Sequence, residues 1–244
     1  MRPEECAALD RDLRRLLGLA IPPIAIGFPK EAPASLPRPS GARPPPTTDG
    51  RTGAVAAGCV FWIEAAERSF ATLAEDHGNC SVGSFTHGFK SFAEAAAGAD
   101  VAALLAAEWV TAEAASRIPT LKEKPAAVLY GPLAEGAFEP EVVFLRLNGK
   151  QLMLVNDAWP ELRFEGKPQC HIIPLAREEG AVAVSSGCML SRVRTGMSNN
   201  EVTCAVPAGK LAALVARLQK AQAADLKVAA YAAEDAKRFT RAGP

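Results

Sequence analysis

The sequence predicts an α+β fold: one domain, residues 1–244, made of two related α/β halves with mixed or antiparallel sheets flanked by helices. Segments with helical periodicity alternate along the chain with short apolar runs of strand length. One stretch of the first half is also similar to a stretch of the second. The 244 residues are 49% hydrophobic and 22% charged, which is typical of a folded globular domain.

The first half, residues 1–120, opens with a predicted helix and strand. Residues 3–17 have helical periodicity, and the apolar stretch IPPIAIGF (21–28) indicates a buried strand. The leucines on one stripe of this helix are Leu9, Leu13, Leu16 and Leu17. Between residues 30 and 58 the chain is so rich in proline, glycine and alanine that we expect a long surface crossing without regular structure.

The remainder of the first half predicts helices around one strand. CVFWIEAAERSF (59–70) is typical of a short helix, and FATLA (70–74) predicts a strand that enters the EDHGNC turn (75–80). Residues 90–117 are rich in helix formers, and a glycine and an aspartate near residue 100 indicate a break followed by a new helix.

The second half, residues 121–244, continues the alternation of strands and helices. The predicted strands are KPAAVLYG (124–131), PEVVFLRL (140–147), AVAVSSGC (181–188) and EVTCAVP (201–207). The predicted helices are KQLMLVNDAW (150–159), CHIIPLAREEG (170–180), AGKLAALVARLQKA (208–221) and VAAYAAEDAKRF (228–239).

Residues 59–89 and 170–197 have the same order of features. Each segment begins with a cysteine, passes through a short helix and an apolar strand, and reaches a polar turn that ends in a second cysteine. Such self-similarity predicts an internal duplication, with two halves packed about an approximate two-fold axis. The axis would bring together the cysteines of both segments, which are Cys59, Cys80, Cys170 and Cys188.

The same segments resemble a known family. The order of LGLAIPPIAIGF, the cysteine–helix unit, the EDHGNC turn, PEVVFLRL and SSGCMLSRVRTGMSNNEVTCAVPAGKLAALVARL is similar to the prokaryotic family called domain of unknown function 169. The resemblance extends roughly from the first helix to the helix after Pro207. It implies a prokaryotic cytoplasmic protein with a region of interest around Cys80 and Cys188, and it brings no established reaction. The proline-rich insertion before Cys59 departs from the family pattern.

Charge and motifs argue against several classes of protein. Lysine plus arginine equals aspartate plus glutamate, 27 each, so we expect neither a nucleic-acid nor a membrane partner. No apolar run approaches the roughly 20 residues that span a bilayer, and the charged N-terminus is unlike a secretory signal. We therefore expect a cytoplasmic protein with reduced cysteines. Walker, G-x-G-x-x-G, G-x-S-x-G and H-E-x-x-H motifs are absent from the sequence.

The four repeated cysteines are the first candidate site. Thiolates are soft ligands that select zinc, copper(I) or iron–sulfur clusters, and four of them complete a tetrahedral zinc site or hold a cluster. We therefore predict an iron–sulfur cluster or zinc bound by Cys59, Cys80, Cys170 and Cys188. His77 and His87 are alternative ligands or partners of the ligands. The chain has no C-x-x-C motif, so the alternative is a set of buried free thiols.

A second candidate is a cysteine nucleophile in the EDHGNC turn. His77 lies three residues before Cys80, and Glu75 and Asp76 could orient the histidine. This arrangement predicts Cys80 and His77 as catalytic residues. The alternative is a polar turn in which Asp76 and Asn79 cap local amides.

A third candidate is a site for a small anion. Arg192 and Arg194 follow Cys188 closely, and two arginines beside a glycine can hold a carboxylate or phosphate. The predicted ligand-binding residues are Glu75, Asp76, Asn79, His87, Arg192 and Arg194. The alternative is a solvated turn, or salt bridges to an acidic residue such as Glu201.

From these candidates we expect a cytoplasmic protein that binds a metal or an iron–sulfur cluster, with redox or thiol chemistry at a cysteine-lined site between two halves. Two alternatives stay open. One is a non-catalytic binding module for a small anionic ligand, and the other is an enzyme that depends on Cys80 and His77. The sequence leaves open whether the protein is an enzyme, and it is compatible with a small-molecule ligand and a homo-oligomer.

Overall fold

A mixed β-sheet runs through the protein, and helices pack on both of its faces. The computed structural model describes residues 1–41 and 53–239, and within these residues the sheet has seven strands in the order β2-β3-β1-β4-β7-β6-β5. The strands are β1 Ile24–Gly27, β2 Phe70–Thr72, β3 Val128–Pro132, β4 Val142–Asn148, β5 Arg163–Phe164, β6 Ala183–Ser185 and β7 Glu201–Pro207. All neighbours pair antiparallel except β5 and β6. The predicted α+β class is confirmed.

Most helices begin or end at residues that favour those positions. The helices are α1 Pro3–Leu17, α2 Phe61–Glu64, α3 Ser81–Thr86, α4 Phe92–Ala96, α5 Ala99–Ala106, α6 Ala112–Ser116, α7 Gly149–Ala158, α8 Ile172–Glu179, α9 Met189–Thr195 and α10 Leu211–Ala236. For example, α1 ends at Gly18 in the left-handed conformation, with φ +62°. The Asn148 side chain accepts a hydrogen bond from the amide of Gln151 at the start of α7.

Alternation along the strands gives the sheet two apolar faces. In β4, Val143 and Leu145 belong to a core covered by α1, α7 and α10, whereas Val142 and Phe144 belong to a second core with α2 and α8. The second core is rich in aromatic rings, and Trp62 packs on Phe144 with their centroids 4.2 Å apart. The segments that carry the four repeated cysteines lie on this second face.

The strand order has a two-fold pattern centred between β1 and β4. Ala25 pairs with Val143, and the flanking pairs Ile24–Phe144 and Ile26–Val142 are related by exchange of the two strands. Beside β1, strand β3 ends at Pro132, which pairs with Ile24. Beside β4, strand β7 ends at Pro207, which pairs with Val142, the residue equivalent to Ile24. The outer strands also match in register, because Phe70 and Ala183 each pair two residues before that proline. This is the order that an internal duplication produces, and the duplication stays a prediction.

The structure differs from the sequence-based elements at several points. The segments that follow Cys80 and Cys188, for which no helix was predicted, are helices, α3 and α9, and residues 90–117 form three short helices. The two helices predicted at the end of the chain are one, α10, because no glycine or proline separates them. Residues 42–52 of the predicted surface crossing lie outside the described residues, and Val55, within the same crossing, is buried.

No helix among the described residues is long and apolar enough to cross a membrane.

Candidate functional site

One cavity on the second face of the sheet is lined by cysteines from both halves of the chain. Cys59 and Cys80 come from the first half, and Cys170 and Cys188 from the second. The cavity volume is about 70 Å³, several times the ~10–15 Å³ that one water molecule needs. All six cysteines of the chain are free thiols, and Cys204 lies on the other face of the sheet. Four thiols therefore line one cavity.

Equivalent local structures hold the cysteines of the two halves. Cys59 and Cys170 are each the middle residue of a 3-10 turn, Gly58–Val60 and Gln169–His171, and an α-helix follows directly. Cys80 and Cys188 are each the N-cap residue of a short helix, α3 and α9. Strand β2 leads to Cys80, and strand β6 leads to Cys188. All four cysteines line the cavity.

A buried asparagine fixes the segment that leads to Cys59. The side-chain amide of Asn79 donates to the carbonyls of Gly53 and Val55, at 2.9 and 2.8 Å. A Cβ atom on Gly53 would lie 2.7 Å from the backbone nitrogen of Asn79, so only glycine fits at this position. Asn79, predicted as a ligand-binding residue, thus tethers the backbone and is outside the cavity lining.

Three of the cavity thiols, Cys59, Cys80 and Cys170, are protonated at neutral pH. Burial raises the pKa of Cys59 to about 12, and it also raises the pKa values of Cys80 and Cys170. The Cys80 sulfur accepts a hydrogen bond from the Gly83 amide at 3.3 Å, and this bond and the Gly58 amide oppose part of the effect of burial. A metal that binds here must therefore displace protons from the thiols.

The two arginines of the predicted anion site have different environments. Arg192 donates to the backbone carbonyls of Ser186 and Glu201, at 2.5 and 3.0 Å, and it closes the loops around α9. Arg194 lines the cavity, and its Nη1 atom is buried without a hydrogen-bond partner among the described residues. Burial raises the pKa of Cys59, and the positive charge of Arg194 has a smaller effect in the opposite direction. Only Arg194 is available to a ligand in the cavity.

His87, and not His77, faces the cavity. The His87 ring is 3% exposed, and its Nδ1 lies 2.8 Å from the Gly83 carbonyl oxygen, which makes Nδ1 the protonated nitrogen. Its Nε2 is buried without a partner among the described residues, and burial lowers the pKa of His87 to about 4. His87 is therefore neutral at pH 7, with a free lone pair on Nε2. Metal-bound histidines commonly have this second hydrogen bond to a carbonyl.

His77 has a structural environment. Its Nε2 lies 2.9 Å from the Thr72 hydroxyl, which donates in turn to the Val128 carbonyl oxygen at 3.1 Å. Burial lowers the pKa of His77 well below its usual value. Its backbone carbonyl accepts a hydrogen bond from the Cys80 amide at 3.1 Å. These contacts fix the EDHGNC turn, and the predicted pairing of His77 with the Cys80 thiol has no contact to support it.

The two acidic residues of the turn contact an arginine outside the cavity. Arg38 lies 3.3 Å from the Glu75 carboxylate and also bonds to Asp76. The Asp76 carboxylate accepts a hydrogen bond from the Leu73 amide at 2.7 Å, which caps the start of the 3-10 turn Ala74–His77. Both predicted ligand-binding acids thus hold the turn in place.

An apolar lid covers the cavity, and few features of the sequence indicated it. It comprises Val101, Leu104, Trp109, Val110, Ala115 and Ile118, from α5, α6 and the segment between and after them. Lys167 ties the lid to the second half: its Nζ donates to the Trp109 carbonyl at 2.6 Å and lies 3.7 Å from the centroid of the Trp109 ring. The available signal was an asymmetry of the repeat, since some forty residues follow Gly88 before β3 but only four follow Gly196 before β7.

No group of three or more His, Cys, Asp or Glu side chains within residues 1–41 and 53–239 meets the spacing of a site for a metal ion. The four cysteines line the cavity without forming such a group. Their role as metal ligands stays a prediction.

Comparison with known proteins agrees with the resemblance found in the sequence. The model of a family described as "Uncharacterised ArCR", domain of unknown function 169, matches residues 12–217. No curated protein and no solved structure matches the chain.

Proposed function

The chain belongs to the family of domain of unknown function 169, which has no assigned reaction, and we propose from the cavity that it binds a metal centre, most favourably an iron–sulfur cluster, through Cys59, Cys80, Cys170 and Cys188. The observation that carries the proposal is that these four thiols, two from each half, line one cavity. Cysteine thiolates are the usual ligands of such clusters, and four ligands are the usual number.

The position of the thiols, on the walls of one cavity, favours a cluster over a single zinc ion. Zinc–sulfur bonds of about 2.3 Å in a tetrahedral site place the sulfurs about 4 Å apart. In a cluster the thiolates bind different iron atoms, and the ligands surround a body of several atoms. Thiols that line a cavity suit the second arrangement better, so zinc is the secondary proposal.

Charged and polar groups of the cavity suit an anionic centre. Four thiolates bring four negative charges, and the guanidinium of Arg194, whose Nη1 atom is buried, offsets part of this charge. The Gly83 amide already points at the Cys80 sulfur, and hydrogen bonds of this kind stabilise a thiolate. The apolar lid limits the access of water. When bound, an iron–sulfur cluster would supply one-electron redox chemistry.

The alternative function, an enzyme that depends on Cys80 and His77, is less well supported. A reactive cysteine needs a lowered pKa, whereas burial raises the pKa of Cys80. His77 is held by Thr72 and is outside the cavity lining. The alternative of an anionic ligand is supported by Arg194, and it is developed below as a second property of the same cavity.

The test is elemental analysis with an ultraviolet–visible spectrum on protein purified without oxygen and reconstituted with iron and sulfide. We expect stoichiometric iron and sulfide with absorption near about 400 nm, as is typical of thiolate-bound iron. Cys80→Ser and Cys188→Ser should each lose the iron. Cys204→Ala is the matched control, because it removes a thiol on the other face of the sheet. Protein that stays colourless and metal-free, or cysteine variants that keep their iron and zinc, would contradict the proposal.

A further inference from the structure

We infer that the cysteine cavity also binds a small monocarboxylic acid with an apolar body, held by Arg194. The inference deepens the proposed function, because it names the class of molecule that would meet the metal centre, but its binding test needs no metal. It depends on three features of the cavity: an unpartnered guanidinium, an unpartnered imidazole nitrogen and an apolar lid.

The guanidinium is the group that would recognise the acid. The Nη1 atom of Arg194 is buried and has no partner among the described residues, although Arg192, two residues earlier, is bonded to backbone carbonyls. A buried charged donor without an acceptor is costly, and a carboxylate, which accepts two parallel bonds from an arginine, removes that cost. The cavity thus holds a site for one anionic group.

The charge of the lining favours a carboxylate over a phosphate. Two cationic side chains line the cavity within the described residues, and Lys167 is already bonded to Trp109. Arg194 alone is left to face a ligand. A phosphate brings more charge and more oxygens than one guanidinium can pair, whereas a carboxylate matches it.

The lid and the histidine define the remainder of the ligand. Leu104, Trp109, Ile118 and their neighbours form an apolar wall that suits a branched or aromatic body. His87 adds an acceptor, because its neutral Nε2 is buried, lacks a partner among the described residues and belongs to the lining. A hydroxyl group on the acid would donate to this nitrogen.

The experiment measures binding to metal-free protein in chelator and reductant. Isobutyrate, isovalerate and 3-phenyllactate are each titrated beside the corresponding neutral amide, with tryptophan fluorescence and melting temperature as readouts, since Trp62 and Trp109 line the cavity. We expect at least one acid to bind and to exceed its amide. We also expect Arg194→Met to weaken that acid about tenfold or more and Arg194→Lys to weaken it less, with the amides unaffected.

Arg15→Met is the control, because it removes an exposed arginine of α1 on the opposite face of the sheet. If no acid binds more tightly than its amide, or if Arg194→Met and the unchanged protein bind the acid equally, the inference is wrong. Iron content, measured on the same Arg194 variants, separates this failure from a failure of the metal centre. Loss of acid binding with iron retained leaves the proposed function standing.

Discussion

At the scale of single residues, the pattern of hydrogen bonds separates side chains that the fold saturates from side chains with an unpartnered polar atom among the described residues. Arg192 and Arg194 are two residues apart on α9 and have the same chemistry, yet one is saturated by backbone carbonyls and the other has a buried nitrogen without a partner among the described residues. The two histidines differ in another way: each has one bonded ring nitrogen and one buried ring nitrogen without a partner among the described residues, but only His87 lines the cavity. The sequence shows which side chains are present, whereas their free lone pairs and donors depend on contacts between distant segments.

Buried His87 makes the metal-free protein sensitive to acid. Its pKa is about 4 in the folded protein and 6.5 as the ordinary value, so between these pH values only the unfolded chain takes up the proton. The stability from this group is complete above pH 6.5 and is lost as the pH falls to about 4, by about 3 kcal/mol of unfolding free energy. Urea unfolding at pH 7 and pH 4.5 measures the loss. His87→Gln should make this pH dependence less steep, and the remainder comes from His77 and His171, whose pKa values burial also lowers. An equally steep dependence in the variant would contradict the assignment.

At the scale of elements, the sequence predicted most of the regular structure. Apolar periodicity gave α1 and α7, and apolar runs gave six of the strands, because each of these elements buries a continuous face. The missed elements are short. Helix α3 contains glycine, serine, threonine and other weak helix formers, so local propensity favours a turn and the helix depends on packing. Helix α9 has better helix formers but only seven residues, which is too short for a clear periodic pattern. Strand β5 has only two residues and no apolar alternation.

The lid over the cavity is the element most open to test. Lys167 joins it to the second half by one hydrogen bond and one contact with the Trp109 ring. Lys167→Met removes both contacts, so the lid should open more often and the thiols beneath it should react faster. We expect iodoacetamide to modify Cys80 and Cys188 about tenfold faster in metal-free protein, as measured by mass spectrometry. Lys122→Met, at an exposed position, is the control. Equal rates in the two variants would show that Lys167 does not hold the lid.

At the scale of the whole molecule, the two-fold pattern explains how the repeat could be predicted but the site only in part. Cys59, Cys80, Cys170 and Cys188 stand at equivalent points of the two segments, and this regularity is visible in the sequence. The groups that give the cavity its character break the regularity. Arg194 takes the place of a threonine of the first segment, and the lid has no counterpart in the second, so comparison of the halves could not predict what faces the thiols.

The same pattern leads to a prediction about the number of metal centres. If the two halves share one centre, each half supplies two ligands and neither half can hold the centre alone. Iron bound per chain should then fall to near zero in Cys80→Ser, in Cys188→Ser and in the double variant alike, because the losses are not additive when residues act as one unit. Two separate sites of two cysteines would leave about half of the iron in each single variant. Iron analysis after reconstitution decides between these cases, with Cys204→Ala as the reference for full loading. Half-loaded single variants would place the ligands of each centre within one half and overturn the shared cavity as the metal site.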